Sequence, residues 1–410
     1  MNRRNSVRSN FSFTASEKAD FQVNLGFLDS RLRLPLDGES AQGIIFSSLR
    51  SSPGRFSALP GQTQQGWFTV TPEQSNEYDN QTRSSRVTLG TTVNYTPIRW
   101  FRNRLTVGLD WTTGLATLFA PPNRPVLTGD TLGLTAQRVP RNTLYTLDYS
   151  GSVERPVFGQ NLISTTSFGS QVVASREESI VATGRGLGSP DVTVIGSTTT
   201  ITAGNAFSEN NSVGYYIQEQ LGWKNRLFVT GAVRVDDNSS FGSDFDVITY
   251  PKASLSWILS EEPALAGFFD AVRAGNFKFR TAWGQAGRAP APYSATRTYG
   301  ISVVTLGSST ASALRTGAFG NPGLKPERGE EIEVGFDADF WNGRVGAEFT
   351  YYDKTMRDVL VFRSIAPSTG FRGSQQANLG KTNNKGIELG VFASPVQTPR
   401  FGWESRISLS

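Results

Sequence analysis

An all-β fold, an antiparallel transmembrane β-barrel present in part, is predicted by three features of the 410-residue sequence. Apolar and polar residues alternate with period two over segments of roughly 8–13 residues, the length of a tilted membrane-spanning strand. About 14 such segments follow one another with little helical spacing between them. The connections between them alternate short and long, as they do when consecutive antiparallel strands put alternate links at opposite ends of one sheet.

Taken in order, the apolar rows are Phe21, Val23, Leu25 and Phe27; Val87, Leu89, Val93 and Tyr95; Leu105, Val107, Leu109 and Trp111; and Tyr145, Leu147 and Tyr149. Further along come Leu227, Val229, Val233 and Val235, then Ile332, Val334, Phe336, Ala338 and Phe340. Glu331, Glu333, Asp337 and Asp339 lie opposite this last row, and four carboxylates on one strand face require water there. Val345, Ala347, Phe349 and Tyr351 follow, and then Ile387, Leu389, Val391 and Ala393. Soluble strands average nearer 5–6 residues, so the length of these segments argues for a membrane more strongly than the alternation does.

The short connections are predicted at Ser16–Ala19, Pro97–Asn103, Gly151–Asn161, Lys224–Arg226 and Asn342–Arg344. The long ones are Pro35–Thr82, Thr112–Asn142, Ser175–Ser212, Gly284–Gly329 and Lys354–Asn383, rich in the Gly, Ser, Thr, Pro and Asn of surface loops. Three short turns, opening at Trp100, Trp223 and Trp341, share an aromatic at the strand end, an Asn in the turn and a cation at the restart. The tryptophans fit an interfacial girdle, the arginines solvent or headgroups, and Asn342-Gly343 is a two-residue hairpin signal. One connection differs: Ser260 reads as the N-cap of a short helix over Ala264–Val272, with Glu261 and Glu262 as partners of its dipole.

Composition removes whole classes of chemistry. With no His and no Cys, Ser-His-Asp and Cys-His nucleophiles and disulfides cannot form, and zinc, haem and iron–sulfur sites lack their usual ligands. A carboxylate-only glycosidase survives that cull, but no acid pair stands out at a suitable spacing. The net charge of +5 is mild for this length, and without a run of Lys/Arg it gives no support to nucleic-acid binding. No apolar stretch reaches the 18 or so residues of a transmembrane helix. No apolar signal-peptide core follows Met1, Arg3, Arg4 and Arg8.

Six motifs in series carry a family resemblance. They are Gly231–Asp236 with Ser239–Gly242; Tyr250–Trp257; Phe277–Arg280 with Trp283–Gly287; Asn321-Pro322-Gly323-Leu324-Lys325-Pro326-Glu327-Arg328 with Glu331–Asp337; Tyr351–Lys354; and Asn378-Leu379-Gly380 with Asn384-Lys385-Gly386-Ile387-Glu388-Leu389. Together they resemble the barrel of TonB-dependent outer-membrane receptors, in particular the SusC/RagA-like branch. The resemblance implies a barrel of roughly 22 strands plugged by an N-terminal domain. It also implies uptake of oligosaccharides or peptides, an inner-membrane TonB complex as energy source, a SusD-like lipoprotein that captures substrate, and no enzymatic activity or cofactor. Residues 1–410 then read as one barrel domain, a fragment without the plug and the last strands. The motif positions singled out are Asn321, Pro322, Leu324, Lys325, Glu327, Asn384, Lys385, Gly386 and Glu388. The competing expectation is a surface or secreted β-rich module that binds glycan without transporting it.

Tyr293, Tyr299, Phe319 and Phe371 are loop aromatics suited to stacking on sugar rings or to packing within the loops. Asp236, Asp237, Asp244 and Asp246 invite a calcium reading. Phe241 stands where an EF-hand needs Gly, and Val247 where it needs Glu, so they read as solvated loop acids. Gly184-Arg185-Gly186-Leu187-Gly188 lacks the Lys-Ser/Thr of a phosphate loop and reads as a flexible outer loop. The acidic face of Glu331–Asp339 reads as lumen wall, or as a surface for basic groups of the plug.

Overall fold

The computed structural model describes all residues except 1, 37–42, 54–65, 69, 123–131, 190 and 244–246. The strands are β1 (Asn2–Ser16), β2 (Ala19–Leu34), β3 (Asp79–Ile98), β4 (Phe101–Ala120), β5 (Leu134–Phe158), β6 (Leu162–Leu187), β7 (Thr198–Trp223) and β8 (Leu227–Asn238). They continue as β9 (Ile248–Ile258), β10 (Ala274–Arg288), β11 (Tyr299–Leu306), β12 (Ser309–Thr316), β13 (Glu327–Phe340), β14 (Val345–Ser364), β15 (Ser374–Gln397) and β16 (Gly402–Leu409). Fourteen form one antiparallel sheet in chain order, while β11 and β12 pair only with each other as a hairpin between β10 and β13. Among the described strands, β1 and β16 have one neighbour each, so the wall is curved sheet with two free edges. The helices α1 (Ile44–Leu49), α2 (Pro72–Asn76) and α3 (Ala266–Ala271) are short. None among the described residues is long and apolar enough to cross a membrane.

The register turns the sequence alternation into two surfaces. Leu25, Leu89, Leu109 and Tyr145 are successive partners across β2–β5, and Val229, Leu255, Thr281, Val334, Tyr351 and Ile387 across β8–β15. This face is apolar yet solvent-accessible, with Leu25, Leu89, Tyr145, Val229, Tyr351 and Ile387 all exposed. An accessible belt of this kind is a lipid-facing surface. Its upper edge is marked by polar pairs in the same register: Ser85 Oγ to Asp29 at 3.0 Å, Arg176 to Glu209 at 2.9 Å and Lys385 to Asp353 at 2.8 Å. Glu219 interrupts the belt between Ile217 and Leu221, and its carboxylate accepts hydroxyl bonds from Thr166, at 2.5 Å, and Ser164 on β6.

The strands are up to twice as long as the alternation predicts. β6 and β7 each have 26 residues, about 85 Å of chain at the usual rise, whereas crossing the hydrocarbon takes about 10. Above the belt the ladder continues through sequence such as Thr198–Ala206, polar or small on both faces except at Ile201, where backbone pairing persists without an apolar row. Three predicted long loops are correspondingly shorter. The β4–β5 connection runs from Ala120 to Leu134, β6–β7 from Leu187 to Thr198, and β14–β15 from Ser364 to Ser374. Gly184–Leu187 lies within β6 paired to β7, not in a flexible loop. Asp236 and Asp237 belong to β8 rather than to a loop, while Asp244 and Asp246 lie outside the described residues.

At the opposite end the tight turns behave as their residues dictate. Lys224 and Asn225 (φ 50° and 56°) and Asn342 and Gly343 (φ 59° and 77°) hold the paired positive φ of a type I′ hairpin. In the first tryptophan turn β4 restarts at Phe101, so Asn103 and Arg104 sit inside the strand rather than in the turn. Asn103 accepts a bond from the Tyr149 hydroxyl at 2.7 Å, and the cation on Trp100 is Arg155 of β5, 3.7 Å from its ring centre. Arg226 corrects the expectation of solvent or headgroup contact. It is buried, with Nη1 donating to the Glu261 carbonyl at 2.8 Å and Nε 3.4 Å from the Glu262 carboxylate. That pairing fixes the α3 connection to the neighbouring turn. α3 itself starts after Leu265 without a side-chain cap, because the Ser260 hydroxyl is spent accepting the Phe277 N–H at 3.0 Å.

Candidate functional site

The face opposite the belt is polar and largely self-neutralised. Asp337 pairs with Lys278 at 2.7 Å and Arg280 at 3.2 Å, and Glu331 with Lys354 at 3.2 Å. Two of the four predicted acids on this strand therefore meet bases of the wall itself. Glu333 and Asp339 have no ion-pair partner among the described residues. A second network carries Arg234 to both Asp236, at 2.7 Å, and Gln171, at 3.1 Å, while Gln171 donates to Asp148 at 3.2 Å.

Both networks depend on a glycine. Arg234 on β8 reaches Gln171 on β6 by crossing β7 at Gly214, where a Cβ would collide with the guanidinium. Arg280 on β10 reaches Thr350 on β14 across Gly335 of β13, where a Cβ would lie 3.2 Å from its Cζ. Between the networks lies a recess of about 370 Å³. Its floor is Ala232, Ala282 and Gly284, and its rim carries Gln218, Lys252, Glu331 and Glu333. Small floor residues, with Lys252 and Glu333 outside any ion pair among the described residues, make a surface that a hydrated solute can touch, with no cluster of three potential metal-ligating side chains among the described residues.

The loop end holds the candidate aromatics. Three of the four meet: Phe319 and Phe371 pack edge to face at 5.0 Å, Tyr299 lies 5.9 Å from Phe371, and Arg297 caps Phe319 at 4.8 Å. Phe371 is only 5% exposed and forms the cluster's core, whereas Tyr299 is 58% exposed at the base of the β11–β12 hairpin. Tyr293 stands apart, half-exposed with φ 62°, its hydroxyl accepting the Glu209 N–H of β7 at 3.2 Å.

The Asn321–Glu327 motif is a fastening between loops. Leu324 and Pro326 are fully buried. The Asn321 amide donates to the Gln376 carbonyl at 3.0 Å, and Asn378 clips Lys325, its Oδ1 accepting the backbone N–H at 2.9 Å and its amide donating to the carbonyl at 2.8 Å. Glu327 accepts the Leu360 N–H at 2.8 Å. The β8–β9 loop joins through Gly242, whose N–H donates to the Leu324 carbonyl at 3.1 Å; a side chain there would strike the Pro322 carbonyl. Asn384, Gly386 and Glu388 take the lumen register of β15, and Lys385 the outward one. Gly386 leaves room for Tyr352, whose hydroxyl lies 2.5 Å from where a Cβ would stand. Sequence reading missed the clip of Asn378 on Lys325, which spans 53 residues.

The family profile described as "TonB dependent receptor-like, beta-barrel" matches residues 19–410. TonB-dependent receptor P26 of Formosa agariphila is 34% identical over 193 residues, 46% of this chain and 19% of that protein. TonB-dependent receptor SusC of Bacteroides thetaiotaomicron is 29% identical over 205 residues, 48% of this chain and 20% of that protein. The RagAB peptide transporter structure superposes with a TM-score of 0.84 at 18% identity, covering 99% of this chain and 46% of that one. The chain thus spans less than half the length of each of these three relatives. With a lipid-facing belt, a polar lumen face and this profile over nearly its whole length, the chain belongs to the TonB-dependent receptor β-barrel family of the outer membrane.

Proposed function

We propose that the chain is the wall of a larger barrel that imports bulky polar nutrients, oligosaccharides or peptides, across the outer membrane. The observation that carries this reading is the largely neutralised, hydrogen-bonding lumen face standing opposite an apolar belt. A solute passing such a wall finds polar groups to replace its water without a deep charge trap. In this reading a plug fills the lumen, and Glu333, Asp339 and Lys252 are the charges it faces. A TonB complex drives its displacement, and a SusD-like lipoprotein closes over the outer loops. Tyr299 and Tyr293, the exposed members of the loop aromatics, are the proposed substrate contacts, with Phe319 and Phe371 holding the loop behind them. The wall acts as a conduit and performs no covalent chemistry.

Uptake of labelled oligosaccharide and peptide mixtures is to be compared in cells with and without the complete gene, and with and without a working TonB complex. Loss of accumulation in both deficient strains is the expected result. Accumulation that persists in both overturns the reading.

A further inference from the structure

Beside the turn at residues 341–344, on the tight-turn end, lies a recess of about 670 Å³. Phe269, Asp270, Arg273, Trp341, Arg344 and Pro395 are among its lining residues. It opens on the lipid side. Phe269 of α3 packs at 5.5 Å on Phe277, which continues through Phe336 and Phe349 as a stacked aromatic row of the outward register. Val345, also in the lining, pairs with Phe340 and Ala393 of the same face. Trp341, 48% exposed, sits where the belt ends, as interfacial tryptophans do.

The charges of this recess are unspent. At the equivalent turn, Arg226 follows Trp223 and is consumed by Glu262 and the Glu261 carbonyl. Arg344 follows Trp341 in the same way, yet neither it nor Arg273 has an ion-pair partner among the described residues. Asp270 is the single carboxylate in the lining. The backbone holds this arrangement in an uncommon shape: Arg273 and Trp341 both have positive φ (54° and 52°), and the Trp341 N–H donates to the Arg273 carbonyl at 2.9 Å. Non-glycine residues adopt that region at a cost, which here brings two guanidiniums to one opening.

We propose that this recess binds the headgroup of a phosphatidylethanolamine-type phospholipid of the inner leaflet. Arg273 and Arg344 take the phosphodiester, Asp270 the primary ammonium, and the acyl chains lie along the Phe277–Phe336–Phe349 row. Two cations and one acid match a zwitterionic headgroup better than a purely anionic one, and the adjoining apolar belt provides for the chains.

Native mass spectrometry of the complete receptor in detergent, titrated with dioleoyl phosphatidylethanolamine and separately with dioleoyl phosphatidylcholine, tests the assignment. The wild type is expected to retain the ethanolamine lipid preferentially. Replacing both Arg273→Gln and Arg344→Gln weakens its retention by about thirtyfold. Asp270→Asn keeps phospholipid bound but removes the preference for ethanolamine over choline, whose quaternary ammonium donates no N–H hydrogen bond. Arg99→Gln with Arg102→Gln, at another turn of the same end, leaves retention unchanged. Unaltered retention in the double variant, an equal loss in the control pair, or displacement of the lipid by inorganic phosphate each overturns the proposal. If the double variant does not fold, Arg344→Gln alone decides: reduced retention supports the site, and wild-type retention overturns it.

Discussion

The two ends of the sheet are built by different means. At the tight-turn end, two of the hairpin links are specified by a handful of adjacent residues: Lys224-Asn225 and Asn342-Gly343 in left-handed conformations, with a tryptophan before them. At the loop end, the strands run on as polar ladders and the connections are fastened by contacts between residues far apart in sequence, such as Asn378 on Lys325 and Phe319 on Phe371. The difference follows from the surroundings. A membrane boundary requires every backbone group to be paired within a few residues of the turn. Loops above the membrane have water as an alternative partner and hold together only where side chains interlock.

The largest expected effect therefore lies at the loop end. Leu324→Ala empties a fully buried position and should weaken the loop assembly by about 2–5 kcal/mol. Hydrogen exchange in the complete receptor should then rise across residues 318–326 and 371–378 and stay unchanged at 223–226. A rise at both ends would erase the distinction drawn here. Next in size is Arg226→Ala, which removes the charged hydrogen bond to the Glu261 carbonyl and the ion pair with Glu262 and should cost about 2 kcal/mol. Its exchange signature should be confined to the α3 connection and the 223–226 turn.

Gly343→Ala tests whether turn conformation alone sets the tight end. At φ 77° it should cost about 1 kcal/mol, read as a lower unfolding midpoint in denaturant, with the loop end unaffected. The smallest effect is electrostatic. The exposed Glu73 carboxyl at the start of α2 is held below its ordinary pKa by its backbone hydrogen bond and then by the Thr71 hydroxyl. A depressed folded pKa contributes stability above the unfolded value and loses it as pH falls through the folded value. Exchange protection of residues 71–77 should accordingly decline on acidification, and Glu73→Gln should flatten that decline.

The same contrast explains how much of the molecule was legible in the sequence. The spanning portions were plain, because a lipid face on one side and water on the other impose strict alternation, as in Ile332–Phe340 and Ile387–Ala393. So were the order of the strands and the alternation of connection lengths. The upper halves of β6 and β7 were not, since Thr198–Ala206 meets water on both faces and has no period to display. The β11–β12 hairpin escaped notice for a similar reason: Ile301–Leu314 is Ser/Thr-rich and packs against no core. Arg226 was misread because its partner Glu262 lies 36 positions on, beyond two strands. The Asn321–Glu327 motif was visible as a resemblance, but its work as a fastening depends on Gly242 and Asn378, which only the fold brings beside it.

The central claim is that β13–β15 present one face to lipid and the other to an aqueous lumen. These 410 residues have no native cysteine, so single cysteines can be placed along β15 one at a time and read against the complete receptor without an added cysteine. In outer membranes containing the complete receptor, a membrane-impermeant maleimide added after opening the cells should label cysteines at Glu388 and Gly390 and spare those at Ile387, Leu389 and Val391. That alternation is the predicted result; uniform labelling of all five positions would contradict the account.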